Sequence, residues 1–202
     1  MTEDNNSARF LVAAGQGDIV QMQHALSHGV DINVCDRWRR NAIILASLNQ
    51  HYDCVTWLID NGADINQQDE TCINPFLHSC LTNDLTLLRL LLPASPDLTR
   101  LTRFGGVGLT PACEKGHLEV VHELLTCTAI NVNHTNFVGW TPLLEAIVLN
   151  DGGERQQQII ALLLAHGANP HMTDKYGKTP LALAKERGFD AIARLLVDAG
   201  AA

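Results

Sequence analysis

The chain has 202 residues, 46% hydrophobic but only 5% aromatic, so it can bury a sizeable core built mainly from small aliphatic side chains. Its formal charge of −8, from 22 acidic and 14 basic residues, excludes long-range attraction to nucleic acid or to an anionic membrane as the main binding force. Met1 to Asn6 carries Glu3 and Asp4 and is followed by no apolar stretch of signal or spanning length, so a cytoplasmic chain with no membrane role is expected.

Six apolar segments at helical spacing close on Gly29, Gly62, Ser95, Thr128, Gly167 and Gly200, separated by 33 residues except for the 39 between Thr128 and Gly167. They predict the second helices of six repeats, at approximately 7–35, 36–68, 69–101, 102–135, 136–173 and 174–202, in a single all-α domain spanning 1–202. The first repeat opens on polar Thr2 to Ser7 and has no preceding turn. In the second, Asn41 caps a first helix containing Ala46-Ser47, and Trp57 takes a leucine's place in the second helix and is expected in the core. In the third, Asn74-Pro75 starts a helix with Ser79-Cys80; proline suits a first helical position because its missing N–H has no partner there.

The fourth repeat moves its proline three positions inward, to Pro111, which delays the helix start. The fifth begins on Thr141-Pro142 and carries an insertion, Asn150 to Glu154, between its two helices. One further residue near Ile130 completes the 39-residue interval. The sixth begins on Thr179-Pro180, and Arg187, Asp190, Arg194 and Asp198 keep its helices soluble.

Gly139-Trp140-Thr141-Pro142-Leu143, Asp174 to Leu181, Gly116-His117-Leu118 and Gly62-Ala63-Asp64-Ile65-Asn66 recur within these repeats, and on them the chain resembles the ankyrin-repeat family over roughly residues 7 to 202. The resemblance implies a solenoid of six helix-loop-helix repeats whose short hairpin-like fingers and first helices line a concave binding face. Leu77, Leu144 and Ala182 stand where the family has His. Arg39 and Cys72 replace the glycine of their fingers, so strain of order 1 kcal/mol each and distorted turns are expected there.

Catalytic chemistry is not called for by the spacing. Gly105-Gly106-Val107-Gly108 lacks the Lys-Ser/Thr of a phosphate loop, His24 and His28 lack a third ligand, and no serine sits in a Gly-x-Ser-x-Gly elbow. Asp31, Asp64 and Asp97 read as turn residues. Cys35, Cys54, Cys72, Cys80, Cys113 and Cys127 read as reduced thiols, mostly packing residues, with no Cys-x-x-Cys pair. No metal or cofactor is expected.

The finger tips hold the unusual residues. Seven of the 14 basic side chains, Arg37, Arg39, Arg40, Arg100, Arg103, Lys175 and Lys178, fall in or beside fingers, and Trp38, Phe104 and Tyr176 share one register position. Arg and aromatic rings dominate interface hot spots. A partner-binding site is therefore expected at Arg37, Trp38, Arg39, Arg40, Ile73, Arg103, Phe104, Phe137, Trp140, Tyr176 and Lys178, centred on Trp38, Phe104 and Trp140. Packing of Phe104, Phe137 and Trp140 against neighbouring fingers, under stacked Arg, is the structural alternative. The expected occupant is a protein with an acidic or amphipathic surface, which the chain would regulate, including indirect effects on transcription. The alternative is an enzyme or small-ligand-binding protein with a pocket between repeats, near the 150–154 insertion.

Overall fold

The computed structural model describes residues 2–201. They form twelve α-helices, one short 3-10 turn and no strand, and divide into two compact units meeting at Asp97 and Leu98. The first unit holds α1 (Thr2–Gln16), α2 (Ile19–Ser27), α3 (Ala42–Leu48), α4 (Tyr52–Asp60), α5 (Pro75–Thr82), α6 (Leu85–Leu91) and the 3-10 turn Leu92–Ala94. The second holds α7 (Leu109–Glu114), α8 (Leu118–Cys127), α9 (Pro142–Val148), α10 (Glu154–Ala165), α11 (Pro180–Glu186) and α12 (Asp190–Asp198). Each unit is thus three helix pairs.

The caps act as the sequence predicts. The side-chain oxygens of Asn41 and Asn74 accept the N–H groups of Ile44 at 3.1 Å and Leu77 at 2.8 Å, and those of Thr141 and Thr179 accept from Leu144 at 3.3 Å and Ala182 at 3.2 Å. Each satisfies one of the free amides of a helix start. α7 differs: it begins at Leu109 on Gly108, with no side-chain cap and Pro111 inside its first turn. Thr128 is a second departure. Its backbone is extended, at φ −135°, where Gly29, Gly62 and Gly167 turn left-handed. Its hydroxyl donates to the Leu124 carbonyl and accepts the Ile130 N–H at 3.2 Å, so a side chain does the work of the missing turn.

In the first unit α1 packs on α3, α3 on α5 and α4 on α6; in the second α7 packs on α9, α9 on α11, α8 on α10 and α10 on α12. Fully buried Phe10, Met22, Ile43, Leu58 and Phe76 fill the first core, and Leu109, Leu124, Leu144, Ile160 and Leu163 the second. Buried Ala14, Ala46, Ser47, Ala112 and Ala146 keep the facing helices close. Trp57 is not a core residue. It is half-buried, because a 3.6-residue turn places it on the flank of the Cys54, Val55 and Leu58 stripe that α4 buries.

Loops repeat a polar ladder. Asn33 and Asn66 accept the N–H groups of Asp64 and Asp97, both at 2.8 Å, and Asn133 accepts that of Asn169 at 2.8 Å. Asp31 and Asp64 accept the N–H two residues onward, at 2.9 and 2.8 Å, which is the turn role expected of them.

All six cysteines are free, as expected. Only Cys54, Cys80 and Cys113 are buried; burial pushes the Cys54 thiol up to about 11 and the Cys80 thiol up to about 12. Cys35 and Cys127 are exposed, so packing accounts for half the set rather than most of it.

Candidate functional site

Each finger is organised by its first residue. Asp36 Oδ1 accepts the N–H groups of Trp38 and Arg40, both at 2.9 Å; Asp69 Oδ1 accepts those of Thr71 at 2.8 Å and Ile73 at 2.9 Å. In the second unit Asn136 does the same for Val138 and Trp140 at 3.1 and 2.9 Å, and Asp174 for Tyr176 and Lys178 at 2.8 and 2.9 Å. In the finger at 102–106 Thr102 stands in, its hydroxyl accepting the Gly106 N–H at 3.3 Å. These organisers were missed as a set by the tip-centred sequence reading. Their signal is a short acceptor side chain two residues before the position shared by Trp38, Phe104 and Tyr176.

Because the organiser holds the turn, glycine is not required within it. Arg39 and Cys72 take the left-handed backbone at φ 62° and 63°, and their N–H groups donate to the Asp36 and Asp69 carbonyls at 2.9 and 3.0 Å. Gly139 and Gly177 donate to Asn136 and Asp174 in the same way, at 2.9 and 3.0 Å. The expected distortion of the Arg39 and Cys72 fingers does not occur; the strain is borne locally.

In the first unit Arg37, Trp38 and Arg39 are exposed, while Arg40 and Ile73 are half-buried. The Arg37 and Arg40 guanidiniums lie 3.9 and 4.5 Å from the Trp38 ring centroid, close enough for cation–π attraction. Arg40 also pairs with Asp36 at 2.7 Å. Burial works to raise the Asp36 carboxyl, but the hydrogen bonds from Arg40 and Trp38 outweigh it and leave the group below its ordinary value. Arg40 is therefore charge-compensated, and the uncompensated cations of this finger are Arg37 and Arg39. The Glu70 N–H donates to the Trp38 carbonyl at 3.0 Å, joining the two fingers edge to edge.

In the second unit Phe104, Phe137 and Tyr176 are 64%, 76% and 75% exposed. The Arg103 guanidinium lies 4.7 Å from the Phe104 centroid and the Lys175 ammonium 5.1 Å from that of Tyr176. Phe137 rests on Gly105, where an added Cβ would come within 2.5 Å of the ring, and its N–H donates to the Phe104 carbonyl at 3.0 Å. Finger-to-finger packing thus exists, yet most of each ring still faces solvent. Trp140 is half-buried, and Lys178 is paired with Glu186 at 2.7 Å, a contact that raises the ammonium's proton affinity.

The other candidate chemistry is absorbed by the fold. His28 Nδ1 meets the His24 carbonyl at 2.8 Å at the end of α2, and among the described residues no group of three or more His, Cys, Asp or Glu could hold a metal. Gly105 belongs to a finger turn. The 150–154 insertion is tied down on two sides: Asn150 Nδ2 donates to the Glu114 carbonyl at 3.0 Å, Arg187 donates to the Asn150 carbonyl at 2.9 Å, and Gly152 lies against the Phe189 ring. Among the described residues no helix is long and apolar enough to cross a membrane.

A family profile described as Ankyrin repeats (3 copies) matches residues 2–69, 76–174 and 112–202. The chain belongs to the ankyrin-repeat family. It is 68% identical to the ankyrin repeat protein YahD of Escherichia coli (strain K12), over 100% of both chains. Among solved structures it resembles an ankyrin repeat domain from Acinetobacter baumannii AYE, at 41% identity and a TM-score of 0.90, covering 96% of this chain and 98% of that one. The ankyrin repeat domain of Bcl-3, 24% identical with a TM-score of 0.86 over 96% of this chain and 86% of that one, shares the fold. Ankyrin repeats are generally protein–protein interaction modules, and ankyrin-repeat proteins are generally non-enzymatic scaffolds. The twelve paired helices, with fingers between the pairs, are this protein's version of that fold.

Proposed function

We propose that this ankyrin-repeat protein recognises a protein partner through the finger tips of its two units and regulates that partner by occupying its surface. In the first unit the contact residues are Arg37, Trp38, Arg39 and Ile73; in the second they are Arg103, Phe104, Phe137, Trp140 and Tyr176. One observation carries the reading. A chain of net charge −8 exposes aromatic rings with Arg or Lys beside them on turns held by paired hydrogen bonds. Exposed aromatic surface costs solvation, and a rigid turn lowers the entropy lost when a partner covers it. Arg40 and Lys178 have their charges compensated within the chain, so they support the fingers rather than the contact. An acidic or amphipathic partner surface fits what remains.

The test is capture from a lysate of the source cells with three baits: wild type, Trp38→Ala/Arg39→Glu, and Phe104→Ala/Phe137→Ala/Tyr176→Ala. Specific partners should be lost or depleted at least about tenfold with one or both variants, while thermal unfolding shows each variant folded. Equal recovery by all three baits would reject the finger surface.

A further inference from the structure

A groove of about 660 Å³ runs along the first unit between α1, the approach to the first finger and α3. One wall is a single face of α1, from Ala8 through Leu11 and Val12 to Gln16, which follows the three- and four-residue spacing of one helix side. Val34 and Leu45 continue the apolar lining, and Trp38 stands at the edge. Two of the lining side chains are costly to leave bare: Val12 is 57% exposed and Trp38 43%. α2 and α3 pack on α1 and bury Leu11, while Ala8, Val12 and Gln16 on this face stay exposed.

Charge decides the occupant. Of the cations on the adjoining finger, Arg40 is neutralised by Asp36 at 2.7 Å, whereas Arg37 and Arg39 form no ion pair among the described residues. Arg37 and Arg40 also lie against the indole, at 3.9 and 4.5 Å from its ring centroid. Asp36 and Arg40 line the groove as an ion pair and Arg37 stacks on the Trp38 ring, so an apolar trough beside a finger whose unpaired cations are Arg37 and Arg39, in a chain that is otherwise acidic, complements a ligand with the opposite arrangement. We infer that this groove binds an acidic peptide segment of a partner protein, inserting at least one large apolar side chain against Val12 and Trp38 and setting carboxylates against Arg37 and Arg39. The inference rests on the protein-recognition reading above and names the chemistry of the segment recognised.

The volume lies in the range of ligand pockets, and the partly exposed walls suit a segment of chain rather than an enclosed small molecule.

The experiment pans a phage-displayed library of random 12-residue peptides against the full chain and measures the enriched peptides by fluorescence polarisation. Enriched sequences should pair Asp or Glu with an aromatic or long aliphatic residue. Their affinity should fall at least about tenfold in Val12→Lys and in Trp38→Ala, and should weaken on raising salt. Both substituted side chains are exposed, so the variants should keep the wild-type melting temperature. Bound peptide should protect Cys35, which lines the groove, from N-ethylmaleimide and leave Cys127, in the second unit, reactive. Peptides indifferent to both variants would overturn the groove. If those peptides instead lose affinity in Phe104→Ala/Phe137→Ala/Tyr176→Ala, the wider recognition reading survives alone. Failure to enrich any peptide also overturns the groove, while the wider reading then stands or falls on the lysate comparison.

Discussion

Glu145 shows how one buried side chain ties stability to pH. It is 6% exposed on α9, and its carboxyl is pushed up to about 7 by burial and then by Glu114, against the hydrogen bond it accepts from Asn136 Nδ2. An ordinary glutamic acid titrates at 4.5, so between that value and about 7 the folded chain keeps a proton that the unfolded chain gives up. The stabilisation is complete below about 4.5 and is lost as pH rises through about 7. At about 1.4 kcal/mol per pH unit the loss amounts to roughly 3 kcal/mol. Glu145→Gln stays neutral at every pH, so its stability relative to wild type should rise by about that amount between pH 4.5 and pH 8, read from urea midpoints. A constant difference across this range would show that Glu145 does not titrate abnormally. Backbone strain at a finger is a second residue-scale effect. Cys72 sits at φ 63°, where a Cβ is disfavoured, so Cys72→Gly should be more stable than Cys72→Ala by about 1 kcal/mol. Equal urea midpoints for the two variants would place no strain there.

At the scale of the element, the finger is a turn whose first side chain substitutes for backbone partners. Asp174 is nearly buried and accepts two N–H groups, so Asp174→Ala strands both and should cost about 1–3 kcal/mol, while Asp174→Asn should keep most of that stability. Asn136 already performs the role as an amide, which is why the conservative change is expected to succeed. Chemical denaturation of the two variants decides it, and equal losses would mean that the charge rather than the acceptor geometry holds the turn. The sequence made helix starts legible at Asn41, Asn74, Thr141 and Thr179 because a cap is a local bond between residues three apart. It also located Trp38, Phe104 and Tyr176 at finger tips, since register alone sets that. It did not reveal that Arg40 and Lys178 are paired with Asp36 and Glu186, because partner choice depends on which side chains the fold brings within reach. Nor did it reveal the bare face of α1, which reads as an ordinary apolar stripe until the helices around it are in place. Trp57 was misplaced for a related reason: a leucine register position tells that a side chain touches the core, not how far a larger one protrudes.

At the scale of the whole molecule, each unit draws its stability from contacts between one helix pair and the next, so damage should spread by adjacency. Ile160 is fully buried on α10, which packs against α8, α9 and α12. Ile160→Ala removes three methylene-sized groups from a filled core and should cost about 2–5 kcal/mol, depending on how far the site collapses. Native-state hydrogen exchange should then show the loss unevenly. Amides of α10 and of its direct neighbours α8, α9 and α12 should lose most protection, whereas α7 and α11, which pack on those neighbours rather than on α10, should lose less. The corresponding change in the first unit, Leu58→Ala on α4, should act first on α3 and α6, its packing neighbours. If the protection lost in Ile160→Ala were equal across α7 to α12, the second unit would open as one cooperative block, and neighbour-by-neighbour energetics would not describe it. An uneven loss has a consequence for recognition. Phe104 precedes α7 and Tyr176 precedes α11, the helices expected to stay protected, so a core substitution at Ile160 should leave those two finger tips able to bind under conditions where α10 already opens.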